Sequence, residues 1–296
     1  MRVLKGHGTE NDFVVLPDLD GAVALTPQLV RALCDRHAGV GADGVLRVVR
    51  SENDPEAKDM ALEAPFFMDY RNADGSIAEM CGNGVRVFVR YLQGVGLVDS
   101  SAAVATRGGV KRVQARGDGD VTVDMGRPRT LADRPVVTAA PLDVPAVGRH
   151  VEMPNPHVVV AVADEAALAA LDLGRAPDVE PALPTGQNVE FVVRAGPRHL
   201  IMRVHERGVG ETRSCGTGIC AAVVATATDD TTDDGTANDG TGGDGTGGDG
   251  TAWRVDVPGG TCEVIWRPDG EVLLTGPAVL VAEIELDDEW LAAAQG

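Results

Sequence analysis

Lysine is almost missing from this 296-residue chain, which has only Lys5, Lys58 and Lys111. None of the three lies in a glycine-rich, phosphate-cradling context, so a pyridoxal Schiff base, the usual device for acidifying an amino-acid α-carbon, has no seat here. Basic charge is scarce as well, since 26 Lys plus Arg face 45 Asp plus Glu for a net charge of −19. A surface so acidic repels phosphate backbones and anionic headgroups, which argues against nucleic-acid and membrane partners. No stretch approaches the ~20 apolar residues a bilayer demands. The opening MRVLKGHGTENDF has no apolar core of signal-peptide length, so a cytosolic protein is expected. Aromatic residues make up only 3%. The five cysteines (Cys34, Cys81, Cys215, Cys220, Cys262) are odd in number and scattered, with no Cys-x-x-Cys pair, which fits neither a disulfide framework nor a zinc site. What remains, 44% apolar and 24% charged, describes a globular chain of one large or two ordinary domains.

Residues 228–251 contain only Thr, Asp, Gly, Ala and Asn, with seven aspartates. That composition cannot bury a core and predicts a disordered segment. It also lacks the aliphatic residue that calcium-binding nonapeptide turns need, so a solvated loop is the better reading. Elsewhere the pattern is of short strands and a few helices. Residues 3–16 and 158–162 read as strands. TPQLVRALCDRHAG reads as a helix capped by Thr26, with Pro27 at its first position and Gly39 past its end. Residues 110–125 alternate around Asp118-Gly119 as a hairpin, and TCEVIWRPDGEVLLT does the same around Asp269-Gly270.

The two hairpins belong to a longer internal repeat. Asn72 precedes Cys81-Gly-Asn-Gly by nine positions, as Glu206 precedes Cys215-Gly-Thr-Gly. Downstream, Gly108-Gly109 and Asp118-Gly119 match Gly259-Gly260 and Asp269-Gly270; upstream, Asn11-Asp-Phe-Val-Val matches Asn155-Pro-His-Val-Val. The interval from Cys81 to Gly109 is 28 residues and that from Cys215 to Gly260 is 45, and the surplus falls in the Asp/Gly/Thr tract. The tract is therefore read as an insertion at a surface turn, where added length costs little. The expected architecture is α+β, with two pseudo-symmetric half-domains, each a mostly antiparallel sheet partly enclosing a central helix, and the active site between them. The expected boundaries are 1–128 for the first half, rejoined by the last strand in 279–296, and 129–278 for the second, with the insert at 228–251.

Each Cys-Gly-x-Gly opens a helical pattern: Val85, Phe88, Val89 and Leu92 recur at i, i+3, i+4, i+7, and residues 219–225 are apolar on all sides. A cysteine at a helix N-terminus sits beside unpaired N–H groups and the positive end of the dipole, which is expected to lower its pKa toward neutrality. The N–H groups of Gly82-Asn83 and Gly216-Thr217 can hold a carboxylate, with glycine permitting close approach. Two such ends on opposite faces of one α-carbon invert it: one thiolate takes the proton and the other thiol returns one, without a cofactor.

HGTENDFVV, YRNADGSIAEMCGNGVR, PNPHVVV, GQNVEF and ERGVGETRSCGTGICAA together resemble the diaminopimelate epimerases, over nearly the whole chain outside 228–251 and the segment 51–65. The resemblance implies interconversion of LL- and meso-2,6-diaminopimelate, a step of lysine and cell-wall precursor synthesis, with Cys81 and Cys215 as the acid/base pair. It also implies that Asn11, Asn72, Asn155, Asn188 and Arg207 bind the polar ends of the substrate beside the backbone of Gly82-Asn83 and Gly216-Thr217. His157 and Glu206 would tune the thiols, Glu206 also lying against the substrate, and the enzyme would be a homodimer. Three features depart from the family pattern, at four positions. Gly44 stands where many relatives carry glutamine, HGTEND replaces HGLGND, and Leu274 lies where relatives place a tyrosine near the dimer contact.

Other readings are plainer. Cys34, Cys220 and Cys262 read as packing residues, and His7, His150, His199 and His205 as structural or surface groups. Asp12 and Asp43 read as local turn or cap acceptors. Gly39-Val-Gly-Ala-Asp-Gly44 has dinucleotide-binding spacing but follows a helix rather than a strand. Two alternatives stay open: a non-catalytic module that holds an amino acid, and a two-cysteine racemase of proline or hydroxyproline. Asn72, Asn188 and Arg207 argue against the latter, because a ring substrate has no distal amino-carboxylate to clamp.

Overall fold

The apolar runs of residues 13–16 and 45–49, the second interrupted only by Arg47, are too continuous for a sheet with one wet face, and both faces of the strands they form are covered. The computed structural model describes residues 1–141, 144–183, 185–233 and 247–295, with backbone alone for 231–233. The chain forms two units, Met1–Val123 with Gly276–Gly296, and Asp124–Thr275.

In the first unit, β1 (Arg2–Gly8) and β2 (Asn11–Pro17) form an antiparallel hairpin, so residues 3–16 are two strands rather than one run. β3 (Gly44–Arg50) runs parallel to β2, and β4 (Phe66–Asn72) antiparallel to β3. β5 (Ser101–Thr106) is parallel to β4, and β6 (Gly109–Ala115) and β7 (Asp120–Gly126) follow in antiparallel order around the expected Asp-Gly turn. The chain's last strand, Val279–Glu285, returns to pair with β1. One sheet face carries Phe13 and Leu46 against α2 (Gly82–Gly94), whose Val85, Phe88, Val89 and Leu92 are buried. The other carries Val14, Leu16 and Val45 against α1 (Pro27–Cys34) and the C-terminal helix Asp288–Gln295. α1 is capped as expected, with Thr26 accepting from the Leu29 N–H at 3.2 Å. It stops at Cys34, earlier than the sequence reading, because the Asp35 carboxylate takes the N–H groups of His37 and Ala38 and folds the chain into a turn.

The second unit repeats this order of pairings. Short strands β8 (Arg129–Thr130) and β9 (Val136–Thr138) lead into the hairpin of β10 (Ala146–Glu152) and β11 (Pro156–Ala161). After α3 (Glu165–Ala170) and β12 (Asp178–Glu180), β13 (Asn188–Gly196) lies parallel to β11, and β14 (His199–Glu206) antiparallel to β13. β15 (Gly210–Thr212) folds back on β14 and leads to α4 (Gly216–Asp233). β16 (Ala252–Val257) runs parallel to β14, with β17 (Gly260–Trp266) and β18 (Val272–Pro277) antiparallel in turn. α4 is apolar all round through Ala225 and packs against β10, β11, β13, β14 and β17.

The tract expected to be disordered from Thr228 begins as helix, because α4 continues to Asp233. Local and distant bonds hold it: Thr226 and Thr228 bond back to the carbonyls of Ala222 and Val224, Asp229 accepts from Arg134 and Arg149, and Asp230 accepts from Arg194. Asp249 likewise pairs with Arg198. Residues 234–246 of the tract lie outside the described residues. Among those described, no helix is long and apolar enough to cross a membrane.

Candidate active site

The strand registers gather the polar residues of each unit at one end of its sheet. In the first, Phe13 pairs with Gly44 and Gly44 with Asn72, which aligns the N-terminal end of β2, where Asn11 lies, with the end of β4. Cys81 caps α2 in an extended conformation, φ −142° and ψ 118°, and its Sγ accepts from the Gly84 N–H at 3.4 Å. The thiol donates to Asn11 Oδ1 at 3.6 Å, which also accepts from Asn83 Nδ2 at 3.2 Å. Asn11 Nδ2 in turn donates to Asp43 Oδ2 at 2.8 Å. Behind this chain Arg36 bridges Asp43 and Asp12, and Lys5 pairs with Asp12. Burial works against ionisation of Asp12, but the hydrogen bonds from Arg36 and Lys5 outweigh it and hold the carboxyl well below the usual range. Burial and the charge of Asp12 move Asp43 the other way. Asn72 lies in a tight turn, with its amide donating to Ser76 Oγ at 3.0 Å. Gly44 admits no side chain, since a Cβ there would lie 2.5 Å from the Arg71 carbonyl oxygen and 2.7 Å from the Tyr70 ring.

In the second unit His157 pairs with Asn188, and Val189 with His205, which places Asn155, His157, Asn188 and Glu206 at the corresponding sheet end. Cys215 immediately precedes α4, with its Sγ 3.5 Å from Thr217 Oγ1. The Glu206 carboxyl accepts from Thr212 Oγ1 and lies near enough to the Cys215 thiol for each to act on the ionisation of the other. His157 Nδ1 lies 2.6 Å from Glu190 Oε1 and its Nε2 lies 3.1 Å from Asn155 Oδ1. Asn188 Oδ1 accepts from the Arg207 backbone N–H at 2.9 Å, and the exposed Arg207 guanidinium reaches Thr185 O at 2.9 Å.

The electrostatics of Cys215 differ from the sequence expectation. A helix N-terminus lowers a thiol's pKa, and bonds from Thr217 and the Gly218 N–H act in that direction. Burial and the charges of Glu206 and Glu190 act against it and prevail, so the Cys215 thiol is pushed well above its ordinary value. Burial also raises the Glu206 carboxyl.

The structure brings the first-unit residues Asn11, Cys81 and Asn83 into one hydrogen-bonded group. It does the same for Asn155 and His157, and it sets Glu206 beside Cys215. Asn72 hydrogen-bonds within its own turn, to Ser76, and Arg207 bonds to Asn188 and Thr185. Sequence reasoning missed Glu190 and assigned Asp43 only a local role. The signal for Glu190 was its place in the run NVEFVV, where an acid shares the strand face of Asn188 and is fully buried.

The diaminopimelate epimerase family model matches residues 3–131 and 149–281. The chain belongs to the diaminopimelate epimerase family. A diaminopimelate epimerase of Streptomyces coelicolor is 56% identical over 291 residues, covering 97% of this chain and 96% of its own. The diaminopimelate epimerase of Thermobifida fusca is 47% identical, covering 96% and 97%. Among solved structures, a PhzF-family phenazine biosynthesis protein of Bacillus anthracis superposes with TM-score 0.65 at 17% identity, covering 97% of this chain and 99% of its own. A probable proline racemase of Agrobacterium radiobacter superposes with TM-score 0.64 at 16% identity, covering 97% and 93%. At such identities these two share the fold with the diaminopimelate epimerases and nothing finer.

Proposed function

We propose that this protein interconverts LL- and meso-2,6-diaminopimelate by a two-thiol acid/base reaction that needs no cofactor. The observation that carries the reading is the pair of Cys-Gly-x-Gly helix starts, each with a thiol at the first turn of a buried helix and its own polar surround. In the reaction one thiolate removes the α-proton and becomes a thiol. The charge left on the α-carbon spreads into the adjacent carboxylate, which the N–H groups of Gly82-Asn83 and Gly216-Thr217 stabilise. The opposite thiol then protonates the other face and becomes the thiolate. The raised pKa of Cys215 suits it to give the proton in one direction, with Cys81 as base, and the roles exchange in reverse. Because one proton is shared between two sulfurs, the pair titrates as a unit.

In this reading Asn11 and Asn155 orient the reacting end, and Asn72, Asn188 and Arg207 hold the distal amino and carboxylate groups. A guanidinium and several amides recognise that end without placing a cation at the reacting carbon. Glu206 lies against Cys215, and His157 acts through Asn155. The reading places the enzyme in the cytosol, in lysine and cell-wall precursor synthesis, as a homodimer that sedimentation velocity would detect.

The test incubates LL-diaminopimelate with enzyme in deuterated water and follows early label in both stereoisomers. Opposed bases label the product before the recovered substrate; equal early labelling of both would point to one exchangeable base, and no labelling to a binding module. Cys81→Ala and Cys215→Ala should each abolish epimerisation, and near-wild-type turnover by either would defeat the mechanism.

A further inference from the structure

Behind the second thiol lies a fully buried carboxylate that the reaction above does not use. Glu190 and His157 are both 0% exposed, and Glu190 Oε1 takes His157 Nδ1 at 2.6 Å. A carboxylate accepts and does not donate, so Nδ1 carries a proton toward Glu190 while Nε2 faces the side-chain amide of Asn155. The same carboxylate presses on the first turn of α4, since a Cβ on Gly218 would lie 2.5 Å from Oε1. Its second oxygen, Oε2, is buried and finds no hydrogen-bond partner among the described residues. A charge left half-satisfied in the interior is costly, and apolar packing at that position would be cheaper. Its position, three residues from Cys215 along the helix it supports, is where such a charge acts on the thiol.

We propose that Glu190 is a positioning residue of this site. It holds His157 by Nδ1, presents Nε2 to Asn155, and supplies negative charge behind Cys215. The inference rests on the epimerase reading. Of the strands packed on α4, β11 contributes His157, β13 contributes Glu190 and β14 contributes Glu206 to the surroundings of the thiol. β10 carries Arg149 and His150, but Arg149 pairs with Asp229 on the last turns of α4, and His150 pairs with Asp133. The charges acting on Cys215 are those of Glu206 and Glu190, and both oppose its ionisation.

The experiment is the pH dependence of iodoacetamide alkylation at Cys215, read by mass spectrometry of the peptide that carries it, in wild type, Glu190→Gln and Glu190→Asp. Glu190→Gln keeps the size and one acceptor but removes the charge. The midpoint is expected to fall by about one pH unit. Glu190→Asp keeps the charge but withdraws it from His157. Its midpoint should stay near wild type while kcat/KM for epimerisation drops about 10-fold. A Glu190→Gln protein with wild-type midpoint and wild-type kcat/KM overturns the proposal, as does a Glu190→Asp midpoint displaced as far as that of the glutamine variant. If Glu190→Gln fails to fold, the aspartate variant decides alone. Alkylation needs no turnover, so failure of this inference shows in these profiles, whereas failure of the epimerase reading shows in the deuterium labelling of the wild type.

Discussion

Asp43 decides which end of Asn11 faces Cys81. Its carboxylate accepts the Asn11 amide nitrogen at 2.8 Å, and an obligate acceptor on that side leaves the amide oxygen directed at the thiol, 3.6 Å away. Asp43→Asn keeps the size but can donate, so Asn11 gains a second orientation. The expected result is a 10- to 100-fold loss of kcat/KM, about the value of one hydrogen bond to a charged group, with the circular dichroism spectrum unchanged. Wild-type kcat/KM in this variant would show that Asn11 needs no such anchor.

The buried thiols make stability fall with alkali. Burial pushes Cys34, at the end of α1, up to about 12, and Cys215 is raised by burial and its acidic neighbours. In the unfolded chain a thiol titrates near 8.5, so above that pH the unfolded state has lost protons that the folded state keeps. Stability therefore declines as pH rises from about 8.5. Cys34→Ala removes one of these groups, at a cost of roughly 1 kcal/mol at neutral pH for the lost sulfur contacts. Its Tm should fall less steeply than wild type between pH 8.5 and 10.5, measured by scanning calorimetry. Parallel Tm curves would exclude Cys34 as a source of the alkaline loss.

Much of this was legible because chemistry and local structure share residues. Cys-Gly-x-Gly marks a helix start and a candidate thiol at once, and the Asp-Gly pairs mark hairpins that recur in both units. Tertiary partners were not legible. The upward shift of Cys215 comes first from its burial and then from Glu206 and Glu190, neighbours that only the packing of β13 and β14 on α4 supplies. Asp43 reads as a turn residue until β3 sets it beside Asn11. Composition alone marked residues from 228 onward as unstructured, whereas Arg134, Arg149 and Arg194, distant in sequence, hold Asp229 and Asp230 in helix.

Those ion pairs divide the acidic tract into parts that should respond differently. Arg149 is nearly buried and bonded to Asp229, which is itself half exposed. Asp229→Ala strands a guanidinium that has little access to water. A loss of about 1 kcal/mol is expected, small because the partner is well solvated. Removing residues 234–246, which contain no apolar side chain larger than alanine, should leave Tm and kcat unchanged. Thermal unfolding of both variants checks the division, and a large Tm loss on removing 234–246 would show that the segment takes part in folding.

The two-residue loop between β1 and β2 is held in a conformation its side chains disfavour. Thr9 and Glu10 have φ of +49° and +59°, the left-handed pair of a type I′ turn that normally selects glycine or asparagine. Thr9 is compensated, because its hydroxyl accepts from Nη2 of the fully buried Arg86, whose Nη1 has no hydrogen-bond partner among the described residues. Glu10 is exposed. Glu10→Gly should therefore raise stability by roughly 0.5–1 kcal/mol and leave kcat unchanged, since the backbone course that sets Asn11 is kept. Thr9→Gly relieves the same kind of strain but takes from Arg86 one of its few acceptors, and a net loss of about 1–2 kcal/mol is expected. Urea unfolding of the two variants separates these contributions. If both glycines stabilise alike, the Thr9 hydroxyl is not what holds Arg86 in place.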